Sequence, residues 1–212
     1  MSSQKEKDRS IIYDVATRTT SSGTSAARER LLATASELFY REGIHAVGVD
    51  RIIAEAGVTR ATFYRHFPSK ESLVEAYLGV EDANIKAAFA AAEATGAEPA
   101  PLVDLVIDGL ADDIARHHTR GCPFINAAAE YPDAASGVRT TVARHREWFR
   151  SELEELLGAA GAPEPAESAA ELVLLRDAAM VGGYLDGWDR VRPAFVASAR
   201  RIAGVPGTSA GE

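Results

Sequence analysis

A single cysteine, Cys122, stands in 212 residues, so no internal disulfide can form and a reducing compartment is expected. No run approaches the ~18 consecutive apolar residues that cross a membrane. The polar amino end lacks the apolar core of a secretion signal. These absences point to a cytoplasmic protein with no membrane partner. Positive charge is scarce too: 23 Lys+Arg stand against 31 Asp+Glu, a formal net charge of −8. A general nucleic-acid coat needs a broad basic face, which this balance excludes. No nucleophile–base pair, zinc spacing or phosphate-cradling glycine loop is visible. His145 and Glu147 are close in sequence but point to different helix faces. An enzyme is therefore not expected, and neither a catalytic residue nor a cofactor is assigned.

The deficit of positive charge is uneven. Residues 1–80 carry 11 Lys+Arg and 10 Asp+Glu, net +1, whereas residues 81–212 carry 12 and 21, net −9. Such asymmetry suits an amino-terminal part held to DNA by local contacts and a remainder that DNA repels. Hydrophobic content of 46% and charged content of 25% are those of an ordinary globular chain, long enough for one or two domains.

What is present is densest from Gly43 to Leu78. Ile52, Ile53 and Ala56 lie at helical spacing, and Gly57 follows where a helix that must stop tolerates positive φ. Thr59 is a good N-cap for a second short helix, Arg60–Phe67, which buries Phe63 and Phe67. Arg60, Ala61, Thr62, Tyr64, Arg65 and His66 are left on its other faces. Pro68 ends it, and Ser69 caps the next helix, with Ser72 in the place of the Glu of a full capping box. Two short helices joined by a glycine turn form a helix-turn-helix, whose second helix can enter the DNA major groove. Arg can pair bidentately with a guanine edge, Thr can touch a thymine methyl, and Tyr, His and Lys can hold phosphate. The plainer alternative is a helical hairpin in an all-α core with its cations merely solvated, giving a protein-binding scaffold without DNA contact.

The rest of the chain reads as helices. Leu31, Leu32, Ala35, Leu38 and Phe39 form the stripe of a first long helix that starts at Thr24 or Ser25 and is ended by Gly43. Residues 70–92 form a long fourth helix, and residues 94–101 a loop. Leu102, Val106, Leu110 and Ile114 recur every four residues. Asp104, Asp108, Asp112 and Asp113 stripe the same segment; acids at that spacing are what a solvated face looks like, and hard-cation sites converge from several segments, so no metal is assigned. His117 and His118 close that helix as cations suited to its dipole. A helix opens at Pro123 and runs to Tyr131. Its Cys122 could be a thiol sensor at a helix N-terminus or a small buried side chain. Residues 136–158 place Val138, Val142, His145, Phe149, Leu153 and Leu156/Leu157 on one face. Two last helices, 165–188 and 193–205, carry apolar faces, with Gly182-Gly183 inside the first. Those faces serve either a four-helix dimer seam or only the monomer core.

The run AGVTRATFYRHFPSKESL resembles the hallmark of the TetR family of bacterial transcriptional regulators, and the match extends over about residues 31–78. GCPFINAAAEYP is similar to a phrase seen after the fifth helix in one TetR subgroup. The resemblance implies an all-α fold: an N-terminal three-helix helix-turn-helix DNA-binding unit and a C-terminal helical bundle for ligand binding and dimerisation. The expected division is a disordered tail 1–23, in which Arg9 and Arg18 could reach a groove, a DNA-binding domain 24–69, a ligand and dimer domain 70–205, and a tail 206–212. Arg60, Ala61, Thr62 and Arg65 would face base edges. Thr59, Tyr64, His66 and Lys70 would hold phosphate, with the backbone of Gly48, where the family more often has Ser or Thr. A homodimer formed through the last two helices would read palindromic double-stranded DNA as a repressor. A small, largely hydrophobic effector would enter the bundle, move the fourth helix and release the operator. Val106, Leu110, Phe124, Val142, His145, Phe149, Leu175 and Tyr184 would wall its pocket; the alternative is that they form a dry, filled core.

Overall fold

A computed structural model describes residues 23–204, and among these it holds nine α-helices and no strand. They are α1 (Gly23–Glu42), α2 (Val49–Ala56), α3 (Arg60–His66), α4 (Lys70–Glu93), α5 (Pro99–His117), α6 (Pro123–Glu130), α7 (Gly137–Ala159), α8 (Pro165–Asp186) and α9 (Trp188–Ala203). The fold is thus all-α. The expected tails lie outside the described residues, except that Gly23 already opens α1. No described helix is long and apolar enough to cross a membrane.

Helices α1, α2 and α3 pack on one another as a head, and α1 also rests on α4. With 24 residues, α4 spans about 36 Å, long enough to leave the head and continue into the body. There it packs against α5, α6 and α7, while α8 and α9 form an antiparallel hairpin against α7 and α5. One contiguous apolar core runs through both parts, from Leu31 and Phe63 to Phe149, Leu157 and Met180. Caps set several helix starts: the Ser136 hydroxyl accepts from Arg139 N at 3.2 Å, and Ser69 from Ser72 N at 3.0 Å. Ser72 also returns the favour, its hydroxyl accepting from Ser69 N at 3.1 Å, so a hydroxyl completes the capping box that the sequence had not promised.

Three expectations need correction. Helix α5 begins at Pro99 rather than at Leu102, because Pro99 and Pro101 both sit in the first turn, where N–H groups have no helical partner to lose. Helix α9 begins at Trp188, with Pro193 inside it. Gly187, at φ 90°, turns the chain, and Trp188 and Val191 then pack on the glycine pair of α8. A Cβ added at Gly183 would lie 3.2 Å from Trp188 Cε3, and one at Gly182 3.4 Å from Val191 Cγ2. The pair therefore admits the neighbouring helix, which offsets the roughly 1 kcal/mol each that glycine costs in a helix. Finally, the acidic stripe of α5 is not merely solvated. Arg200 of α9 donates to Asp104 at 2.5 Å and Asp108 at 3.0 Å, Arg192 reaches Asp112 at 3.4 Å, and Asp113 holds His117 and the buried His118 at 2.9 Å each.

Candidate nucleic-acid interface and internal cavities

The head presents α3 outward because its two largest apolar side chains point the other way. Phe63 and Phe67 are buried, their ring centroids 6.2 Å apart. Gly57, at φ 63° and ψ 41°, ends α2 in the left-handed region, and Thr59 then accepts from Thr62 N at 3.1 Å to begin α3. Gly48 caps α2 without a side-chain hydrogen bond. Arg60, Ala61 and Arg65 are exposed, as are Gly48 and Thr59. Tyr64 is 46% exposed, standing edge-on to Phe63. Arg60 is ion-paired with Asp50 of α2, an acidic neighbour whose role the sequence did not reveal.

Three of the nine DNA candidates are less open. Thr62 is half-buried, its hydroxyl 2.9 Å from that of Thr59. His66 is half-buried, and its Nε2 is enclosed with no hydrogen-bond partner. Lys70 lies with its Nζ 5.9 Å from the Phe39 ring centroid; partial burial lowers its pKa, and nearby Glu130 opposes that shift.

The head is tied to the body at the turn between α1 and α2. Glu130, the last residue of α6, accepts from Ile44 N at 2.8 Å and His45 N at 2.5 Å, and lies 3.0 Å from His45 Nδ1. His45 stacks on Tyr131. Beside this tie, the Tyr40 hydroxyl accepts from Arg120 N at 2.8 Å and donates to the Gly121 carbonyl at 3.1 Å. These pairs join residues about 80 apart in sequence, and no periodicity announces them.

The eight expected pocket residues are not gathered around one void. Val106 and Leu110 line a small apolar cavity of about 10 Å³ among α5, α7, α8 and α9, room for a single water. Tyr184 is exposed and borders a separate cleft of about 400 Å³ between α1, α6 and α8, where Cys122 also lies, 2% exposed. Phe124, His145 and Phe149 fill space instead. The His145 and Phe124 rings stack with centroids 3.7 Å apart and an interplanar angle of 3°. His145 Nδ1 lies 2.9 Å from Asp82 of α4. Burial drives the His145 pKa down to about 4; the Asp82 hydrogen bond opposes this and the nearby Arg176 charge adds to it. The ring is therefore neutral near pH 7, with Nδ1–H donating to the Asp82 carboxylate. Val142 is buried and Leu175 half-buried, and neither borders either void.

The sequence and fold have close counterparts. Residues 31–77 match the family of bacterial regulatory proteins of the TetR type, and residues 101–185 match the tetracycline repressor-like C-terminal domain. The crystal structure of SCO4454, a TetR-family transcriptional regulator from Streptomyces coelicolor, is 43% identical. It aligns over 85% of this chain and 95% of its own, with a TM-score of 0.81. The chain belongs to the TetR family. It is accordingly a DNA-binding transcriptional regulator and not an enzyme. Two curated transcriptional regulators match over a shorter stretch. The transcriptional activator FasR of Mycolicibacterium smegmatis is 47% identical over 53 residues, 25% of this chain and 23% of that protein. The repressor KstR2 of Rhodococcus jostii is 42% identical over 57 residues, 27% of this chain and 28% of that protein. The chain thus spans about a quarter of these curated relatives. Within the TetR frame, α3 is the second helix of the helix-turn-helix, and Glu130 and Arg176 fall in the matched C-terminal domain.

Proposed function

We propose that this TetR-family regulator is a cytoplasmic, homodimeric repressor that binds a palindromic operator and leaves it when a small, largely hydrophobic effector enters the body. The outward face of α3, with Arg60, Ala61, Tyr64 and Arg65 exposed over a buried Phe63, carries the DNA-reading part. Arg60, Thr62 and Arg65 are assigned to base edges, with Ala61 permitting close approach. Thr59, Tyr64, His66, Lys70 and the Gly48 backbone are assigned to phosphate. For contact, Lys70 must swing off Phe39 and Arg60 must exchange Asp50 for a base.

Support for the dimer comes from α8. Leu174 at 67% exposure, Leu185 at 70%, and Val181 and Tyr184 between them leave a row of large apolar side chains in water. A row of this kind marks an interface. The outer face of α9 is mostly Arg190, Arg192, Ala194, Ala197 and Arg201, so α8 would supply most of the apolar seam. Paired heads would then meet half-sites about 34 Å apart. A DNA-binding unit over 24–69 and an effector and dimer unit over 70–205 fit this division of labour. A thiol switch through Cys122 is not favoured, because its side chain is buried.

Selection of bound sequences from a random DNA pool tests the reading. A palindrome is expected, and retention of sequences without preference or symmetry would overturn it.

A further inference from the structure

One charged residue, Arg176, is among those that line the apolar cavity of the body. Arg176 of α8 is 4% exposed, and its Nε and Nη2 are buried with no hydrogen-bond partner. Its Nη1 is 3.9 Å from Asp177 Oδ1, beyond hydrogen-bond range, and Asp177 gives its other oxygen to Arg146 at 2.8 Å. The guanidinium lies over the Phe149 ring, 4.8 Å from its centroid, and Arg176 borders the cavity together with Val106, Leu110, Leu153, Leu157, Leu172 and Phe195. Asp177 is thus an ion-pair partner that accepts no hydrogen bond from Arg176, and buried donors left without an acceptor are costly and rare in a folded protein. A guanidinium keeps its charge and offers a planar fork of donors shaped for a carboxylate.

We propose that Arg176 is the anion receptor of the effector site, and that the effector is an apolar acid. Its carboxylate pairs with the two free donors of the guanidinium, and its hydrocarbon part lies among the Leu, Val and Phe side chains of α5, α7, α8 and α9. This rests on the effector reading above and narrows it from hydrophobic molecules to amphipathic monoanions. The present void holds about one water, so the chain of such an acid enters only as the helices part. Entry therefore favours a conformation other than the closed one, which is what an effector needs in order to shift an equilibrium.

The test uses the full chain, calorimetric titration, and two matched probe pairs: decanoate with decanol, and 4-phenylbutyrate with 4-phenylbutanol. At least one acid is expected to bind about tenfold or more tightly than its alcohol, as a hydrogen-bonded charge pair predicts. Arg176→Met should abolish that preference, and Arg176→Lys should retain part of it. Equal binding of acid and alcohol, no binding of either acid, or a preference that survives in Arg176→Met would overturn the proposal. Operator release is followed separately by fluorescence anisotropy of labelled DNA. An alcohol that binds as well as its acid and releases DNA sinks the acid receptor and spares effector release. An acid that binds through Arg176 but leaves DNA bound does the reverse.

Discussion

Removing His145 should change how stability depends on pH more than it changes stability itself. The ring is 3% exposed, stacked on Phe124 and hydrogen-bonded to Asp82, and its folded pKa is about 4 against an ordinary 6.5. Between those values the unfolded chain takes up a proton that the folded chain refuses. Stability from this group is therefore complete above pH 6.5 and declines as pH falls toward 4. The slope approaches about 1.4 kcal/mol per pH unit, and the full interval is worth at most about 3.5 kcal/mol. Urea unfolding of the wild type and His145→Gln at pH 7.5, 6.0 and 5.0 measures it. The glutamine offers Asp82 a donor and does not titrate. The remaining ionisable groups are common to both proteins, so the difference between the two curves isolates position 145. The wild type should lose about 1–2 kcal/mol more than the variant between pH 6.0 and 5.0. Parallel curves, or a His145 ring proton that titrates near 6.5 by NMR, would refute the account of a neutral, buried imidazole.

Arg60→Ala should weaken operator binding by about 1–3 kcal/mol and relax sequence preference at one position, read by titration on a panel of operator variants. Unchanged preference would remove Arg60 from the base-reading set. Leu174→Asp with Leu185→Asp should shift the protein to monomer in sedimentation velocity while leaving its helical circular dichroism intact, and a dimer that persists would place the seam elsewhere. Glu130→Ala strips the acceptor from Ile44 N and His45 N and should cost about 1–3 kcal/mol in urea unfolding. An unchanged midpoint would show that water replaces the carboxylate freely.

The head was readable because its signals are local. Gly57, Thr59, Phe63 and Phe67 lie within eleven residues and each fixes its own piece of geometry, a left-handed stop, a cap and a buried face. The body was readable as helices but not as a site. The stripe on α7 marked His145 as inward, yet its partner Asp82 is 63 positions away and leaves no trace in periodicity. The acids of α5 looked like a water-facing row because spacing alone cannot tell solvent from the arginines of α9. Pro193 looked like a helix start, and only Trp188 seated on Gly183 shows why the helix opens earlier. One signal went unused: Arg176 falls four residues after Leu172 and four before Met180, a charge in the middle of an apolar stripe.

A single carboxylate at the end of a short rod fastens the reading head at one corner. Glu130 meets two successive amides at 2.8 Å and 2.5 Å, so one side chain holds both in place. It shares the fastening with Tyr40 and Arg120, so the helix-turn-helix and the body are pinned to each other on two sides of the same turn.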